Sequence, residues 1–303
     1  MKIFNRPMNP SYTASRSEFL SIRGLQYHVR HWGDAKAPVL VMLHGWMDVS
    51  ASFQFVVDCL QQDWHVIAPD WRGFGLTDNP HTDTYWFPDY MADLDAILNH
   101  YVPEGQINVI GHSMGANVAG LYAGVRPERI RRFVNLEGFG MPATHPAQAP
   151  GRYRKWLDEL KEPPVLRTYA TQNEVAARLQ KTNPRLSDER AAFLSSHWAK
   201  QNQEGRWEIL GDPAHKQTSP LLFHVEEVMA CWSKITSPVL WMEADDTNVW
   251  HWMGPKEEAH LEINRRLDHI PQLQKEMIQD AGHMLHHDQP EILAQLIETF
   301  LLK

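Results

Sequence analysis

Ile107-Asn108-Val109-Ile110-Gly111-His112-Ser113-Met114-Gly115 reads as a short buried strand that breaks into a G-x-S-x-G turn. From Met114 to about Val125 the sequence is rich in small residues and has the length of a helix, so Ser113 stands where a strand turns directly into a helix. A turn this tight crowds the backbone around the serine. Gly111 and Gly115 relieve the clashes, and the Ser113 hydroxyl is held above the carboxyl end of the strand, near a helix N-terminus. Ser113 is therefore the candidate nucleophile.

Outward from this turn, strands and helices alternate. Leu25–Trp32 alternates apolar and polar residues before Gly33-Asp34 and is expected to be a half-exposed strand at a sheet edge. Val39–Leu43 is a continuous apolar run, as expected of a strand covered on both faces. Ser50–Gln62 has helical spacing, His65–Ala68 is another short strand, Phe87–Tyr101 is helical, and Phe133–Leu136 is the strand after the serine helix. This rhythm predicts an α/β fold, a mostly parallel sheet with helices on both faces and right-handed crossovers. It fails from about 141 to 235, where Pro142, Pro146 and Pro150 lead into charged, mainly helical sequence with no buried strand. It resumes with a strand at Pro238–Met242, a helix over Lys256–Leu267, a strand near Met277-Ile278 and a helix from Pro290 to Leu302. The expected organisation is an α/β core over 1–140 and 236–303 with an inserted helical lid over 141–235.

Composition excludes other classes. The chain has 303 residues, 43% hydrophobic and 22% charged, which is globular and neither disordered nor fibrous. With 29 Lys+Arg against 37 Asp+Glu the net charge is −8, and no basic cluster stands out, so neither nucleic acid nor an anionic membrane is an expected partner. Cys59 and Cys231 alone make no disulfide framework, Met1–Pro7 carries no secretory pattern, and no apolar run reaches membrane-spanning length. A cytoplasmic protein is expected.

Three motifs taken together, Gly111–Gly115, His44-Gly45-Trp46 and Asp70-Trp71-Arg72-Gly73-Phe74-Gly75, resemble the α/β-hydrolase superfamily, in its serine hydrolase branch with a helical lid. The resemblance implies an oxyanion hole from the backbone N–H groups of Trp46 and Met114. A tetrahedral acyl intermediate needs two such preorganised donors, whatever the side chains attached to them. Asp70–Gly75 is assigned to structure, its glycines suiting a tight bend.

The general base is expected after the last strand, in Asp280-Ala281-Gly282-His283, where the resemblance points to His283 among seventeen histidines. His286 and His287 are neighbouring competitors. A metal cluster at His286-His287-Asp288 is set aside because no second ligand motif completes it. The acid that would orient His283 is the open position. In most of the family it lies in a Gly-x-x-Asp turn, which here reads Glu243-Ala244-Asp245-Asp246, so Asp246 is the first choice and Asp245 its neighbour. Glu137, at the end of the strand before the lid, is the rival, in a place where the dehalogenase branch can carry a Glu.

A serine at 113 speaks against the carboxylate chemistry of the dehalogenase and epoxide-hydrolase branches. It favours an acyl-enzyme formed on a small to medium ester or related acyl substrate, with no cofactor and no metal. Two other readings stay open: a ligand-sensing protein that keeps the pocket, and a C–C bond hydrolase or lactonase on the same residues. Trp46, Trp250 and Trp252 are placed where they could wall a substrate cavity, whereas the lid aromatics are read mainly as packing.

Overall fold

The computed structural model describes residues 12–303; the Met1–Pro7 segment read for a leader lies outside them. The chain opens with β1 (Ser15–Ile22), β2 (Leu25–Trp32) and β3 (Val39–Leu43), then α1 (Gln54–Val57), β4 (His65–Pro69), α2 (Phe87–Tyr101), β5 (Ile107–His112), α3 (Met114–Val125) and β6 (Ile130–Leu136). An inserted stretch holds α4 (Ala149–Lys161), β7 (Thr168–Tyr169), α5 (Gln172–Thr182), α6 (Asp188–Trp198), β8 (Ala199–Gln201) and β9 (Trp207–Ile209). The fold then completes with α7 (Val225–Trp232), β10 (Val239–Ala244), α8 (Lys256–Leu267), β11 (Leu273–Ile278), α9 (Leu285–Asp288) and α10 (Pro290–Leu301).

Eight strands form one sheet in the order β1-β2-β4-β3-β5-β6-β10-β11. The pairs β1·β2 and β2·β4 are antiparallel; the rest are parallel. Alternate residues of each central strand feed opposite cores. Val41, Leu43, Val109, Phe133 and Trp241 pack under α2, α3, α7 and α8, while Leu40, Met42, Ile110, Val134, Leu240 and Met242 pack under α1 and α10. Both faces are covered, which is why β3 is an unbroken apolar run and the neighbouring strands are largely apolar.

Three expectations change. Leu25–Trp32 is not an edge strand, because Ser15–Ile22, unread in the sequence, pairs outside it. Its polar side chains are buried in specific partnerships: His28 Nδ1 lies 2.7 Å from Asp70, and Arg30 donates to Ser15 Oγ at 2.9 Å. The insertion is not all helical, since β7, β9 and β8 make a small antiparallel sheet too short and too half-buried to leave a periodic signal. Its boundary also moves. Helix α7 packs on α3, with Trp232 fully buried in the main core, so the core resumes near 225 rather than at 236.

Candidate active site

Ser113 sits at φ +49° and ψ −113°, a backbone conformation that L-residues adopt only under strain, held there by the structure around it. Its N–H donates to Leu136 O at 2.8 Å and its C=O accepts from Asn117 N, the start of α3. No side chain fits beside it: a Cβ on Gly111 would lie 2.5 Å from Ala116 Cα, and one on Gly115 would lie 2.2 Å from Leu43 O. Met114 is the first residue of α3, so its N–H has no acceptor within the helix.

The His44–Trp46 loop leaves the end of β3 beside this turn. His44 is buried, its Nδ1 donates to Gly45 O at 2.8 Å, and its Nε2 accepts from Trp71 N at 2.9 Å. Trp71 Nε1 also donates to His44 O at 2.9 Å. The Asp70–Gly75 turn thus braces the loop, as its structural assignment expected. Asp70 accepts from Ser50 N and Leu76 N; against the opposing cost of burial, the His28 contact first, then His44 and the Leu76 N–H, keep its carboxyl below the usual range.

His283 lies in the turn after β11. Its Nδ1 donates to Glu137 Oε2 at 2.6 Å, and its backbone C=O accepts from His112 Nε2 at 2.9 Å. Burial, with His286 and His283 beside it, holds the His112 ring neutral, well below its ordinary value. Glu137 directly follows β6 at φ +55° with its side chain almost fully buried. The carboxylate also accepts from Ala244 N at 2.8 Å and from Thr247 Oγ1 at 2.9 Å, so three donors orient it.

This geometry corrects the expected acid. Asp246 has its carboxylate 71% exposed and paired with Arg185 at 2.6 Å, and Asp245 is exposed with Oδ1 accepting from Ala281 N at 3.2 Å. The reason is where the strand ends. β10 stops at Ala244, so 245 and 246 lie on the outward turn, while the backbone of Ala244 and the side chain of Thr247 face Glu137. Thr247 left no sequence signal; the carboxylate 24 positions after Ser113 did.

Glu243 lines a narrow cavity, without room for a water, together with Glu137, Trp241, Trp250 and His260. Burial first, then the Glu137 charge, raises its carboxyl to about 7. Trp250 belongs to this cavity, stacking on His251 and donating to Thr247 O. Trp252 is different: it is exposed and stands edge-on to the His283 ring, centroids 5.8 Å apart. Trp46 is half exposed. Among the lid aromatics, Trp198 and Phe193 join a satellite core, Trp207 packs in the small sheet, and Tyr153 is exposed.

A family model described as alpha/beta hydrolase fold matches residues 38–290. The chain belongs to that family. It is 27% identical to a serine hydrolase-like protein of Danio rerio over 89% of this chain and 83% of that one. It is 23% identical to human epoxide hydrolase 4 over 92% of this chain and 76% of the relative. Among solved structures, the thioesterase domain from the curacin biosynthetic pathway superposes with a TM-score of 0.80 at 25% identity, covering 94% of this chain and 99% of that one. No helix among the described residues is long and apolar enough to cross a membrane.

Proposed function

We propose that this α/β-hydrolase-family protein is a serine hydrolase that cleaves a small to medium carboxylic ester, or a related acyl substrate, through an acyl-enzyme on Ser113. The observation that carries the reading is the 2.6 Å bond from His283 Nδ1 to the buried Glu137 carboxylate, with a strained serine elbow at the end of β5. With Nδ1 donating, Nε2 is the ring nitrogen left to take a proton. The Glu137 charge then stabilises the imidazolium that forms.

In the proposed sequence, the Ser113 Oγ proton passes to His283 Nε2 as Oγ bonds to the acyl carbon. The carbonyl oxygen becomes an oxyanion facing the N–H groups of Trp46 and Met114. Collapse breaks the bond to the leaving alkoxide, which takes the proton from His283. Water, deprotonated by the same ring, then attacks the ester on Ser113 and releases the acid. Trp46 and Trp252, exposed beside these groups, supply apolar surface for the acyl chain.

The test is turnover of a panel of nitrophenyl esters, lactones and thioesters, with fluorophosphonate labelling. Many equivalents of product and one labelled serine are expected. Ser113→Ala should abolish both without loss of the fold. Labelling that survives this change removes the nucleophile assignment; stoichiometric or no product from the wild type favours a ligand sensor instead.

A further inference from the structure

We propose that Asp48, His112 and His286 form a buried site for one divalent transition-metal ion of the zinc class. The three come from the loop after β3, the end of β5 and α9, and one ligand atom of each lies within 4.8 Å of the other two. They are 5%, 1% and 0% exposed. Within this cluster Asp48 Oδ2, His112 Nδ1 and His286 Nδ1 have no hydrogen-bond partner. Each of the three buried side chains thus carries one polar atom that is costly unless something satisfies it.

The remaining atoms of each side chain are held as metal ligands usually are, by a contact outside the cluster. His112 Nε2 lies 2.9 Å from His283 O, which can only accept, so in the neutral ring Nδ1 carries the lone pair. His286 Nε2 is 3.1 Å from Ser52 Oγ, and Trp198 Nε1 donates to Asp48 Oδ1 at 3.3 Å. Asp48 Oδ2 is 3.8 Å from His286 Nε2, beyond hydrogen-bond distance but within ion-pair reach when that ring is protonated. Two imidazoles and one carboxylate suit zinc, with arms of about 2.0–2.2 Å, so the three side chains draw together on binding. Asp288, the third member of the His286-His287-Asp288 cluster set aside from the sequence, accepts from Gly282 N and Asn183 instead.

The site adjoins the catalytic residues, with the His112 ring next to Ser113 in the chain and 4.7 Å from the His283 ring between centroids, but its test does not depend on hydrolysis. The full chain, stripped of metal, should bind one equivalent of Co²⁺ with the visible absorption of a low-coordinate ion, displaced by Zn²⁺, and Ser113→Ala should do the same. Asp48→Asn and His286→Gln should each weaken Zn²⁺ binding by at least the roughly 10–100-fold that loss of a supporting outer-shell group costs. Anomalous scattering from wild-type crystals grown with Zn²⁺ needs no variant and should place the ion between the three side chains. Failure of the wild type to bind, an ion found elsewhere, or folded variants that bind like wild type would each overturn the site.

Discussion

At the residue scale, the decisive contact is a carboxylate that arrives from the strand before the insertion rather than from the strand after it. Glu137 has three donors around it and Asp246 has only an exposed arginine. Their substitutions should therefore separate. Glu137→Gln is expected to lower kcat on a nitrophenyl ester by about 10³–10⁴-fold, the scale seen when the orienting acid of such a triad is lost. Asp246→Asn, which loses one surface ion pair, should stay within about 3-fold, since such pairs contribute only ~1 kcal/mol or less. Equal losses from both changes would show that Glu137 does not orient the base. The choice between these acids was open in the sequence because a position in a turn does not tell which way its side chain faces.

At the element scale, the insertion is fastened to the core by a ring stack. His215, in a short turn of the insertion, lies between Phe74 and Tyr85, with centroids at 3.7 and 3.5 Å, and Asp212 accepts from Tyr85 OH at 2.7 Å. A bridge between Phe74 and Gly211 adds a backbone link. Burial lowers His215 to about 3. A histidine whose folded value is depressed contributes stability that is present above its unfolded value near 6.5 and is lost as pH falls toward 3. At pH 5 the loss from this residue should be about 2 kcal/mol, from ~1.4 kcal/mol per unit. Limited proteolysis within residues 141–224 should accelerate between pH 7 and 5. His215→Phe, which keeps a ring without the titration, should blunt that acceleration; an unchanged pH profile would show that the stack is not what acid loosens.

At the scale of the whole molecule, one buried carboxylate ties the antiparallel side of the sheet to its helical layer. Asp93 in α2 is fully buried. It accepts from Tyr27 OH at 2.8 Å, from Arg72 Nε and Nη2 at 2.6 and 2.7 Å, and from Arg23 Nη1 at 3.0 Å. The groups come from β2, from the turn that braces the His44 loop, and from the β1–β2 turn. Breaking a buried pair by removing one charge leaves the other uncompensated, so Asp93→Asn is expected to cost about 3–5 kcal/mol. That is a fall in Tm of roughly 10 °C for a chain of this size, measured by thermal unfolding. A shift under ~2 °C would mean that the arginines find solvent instead.

What the sequence determined by itself is local and periodic. The spans of α2, α3 and α8 coincide with their expected ranges, α2 from its helical spacing, α3 from its small residues after the serine turn and α8 from its polar composition. The serine turn was legible because a strand, two glycines and a helix sit within a few residues. Tertiary structure decided what depends on which distant segments meet. It set β1 outside β2, joined α7 to the core, brought Glu137 to His283 across 146 positions, and gathered Asp48, His112 and His286 from three segments. Those outcomes follow from sheet order and from where each strand stops. Neither is written in the periodicity of any single stretch.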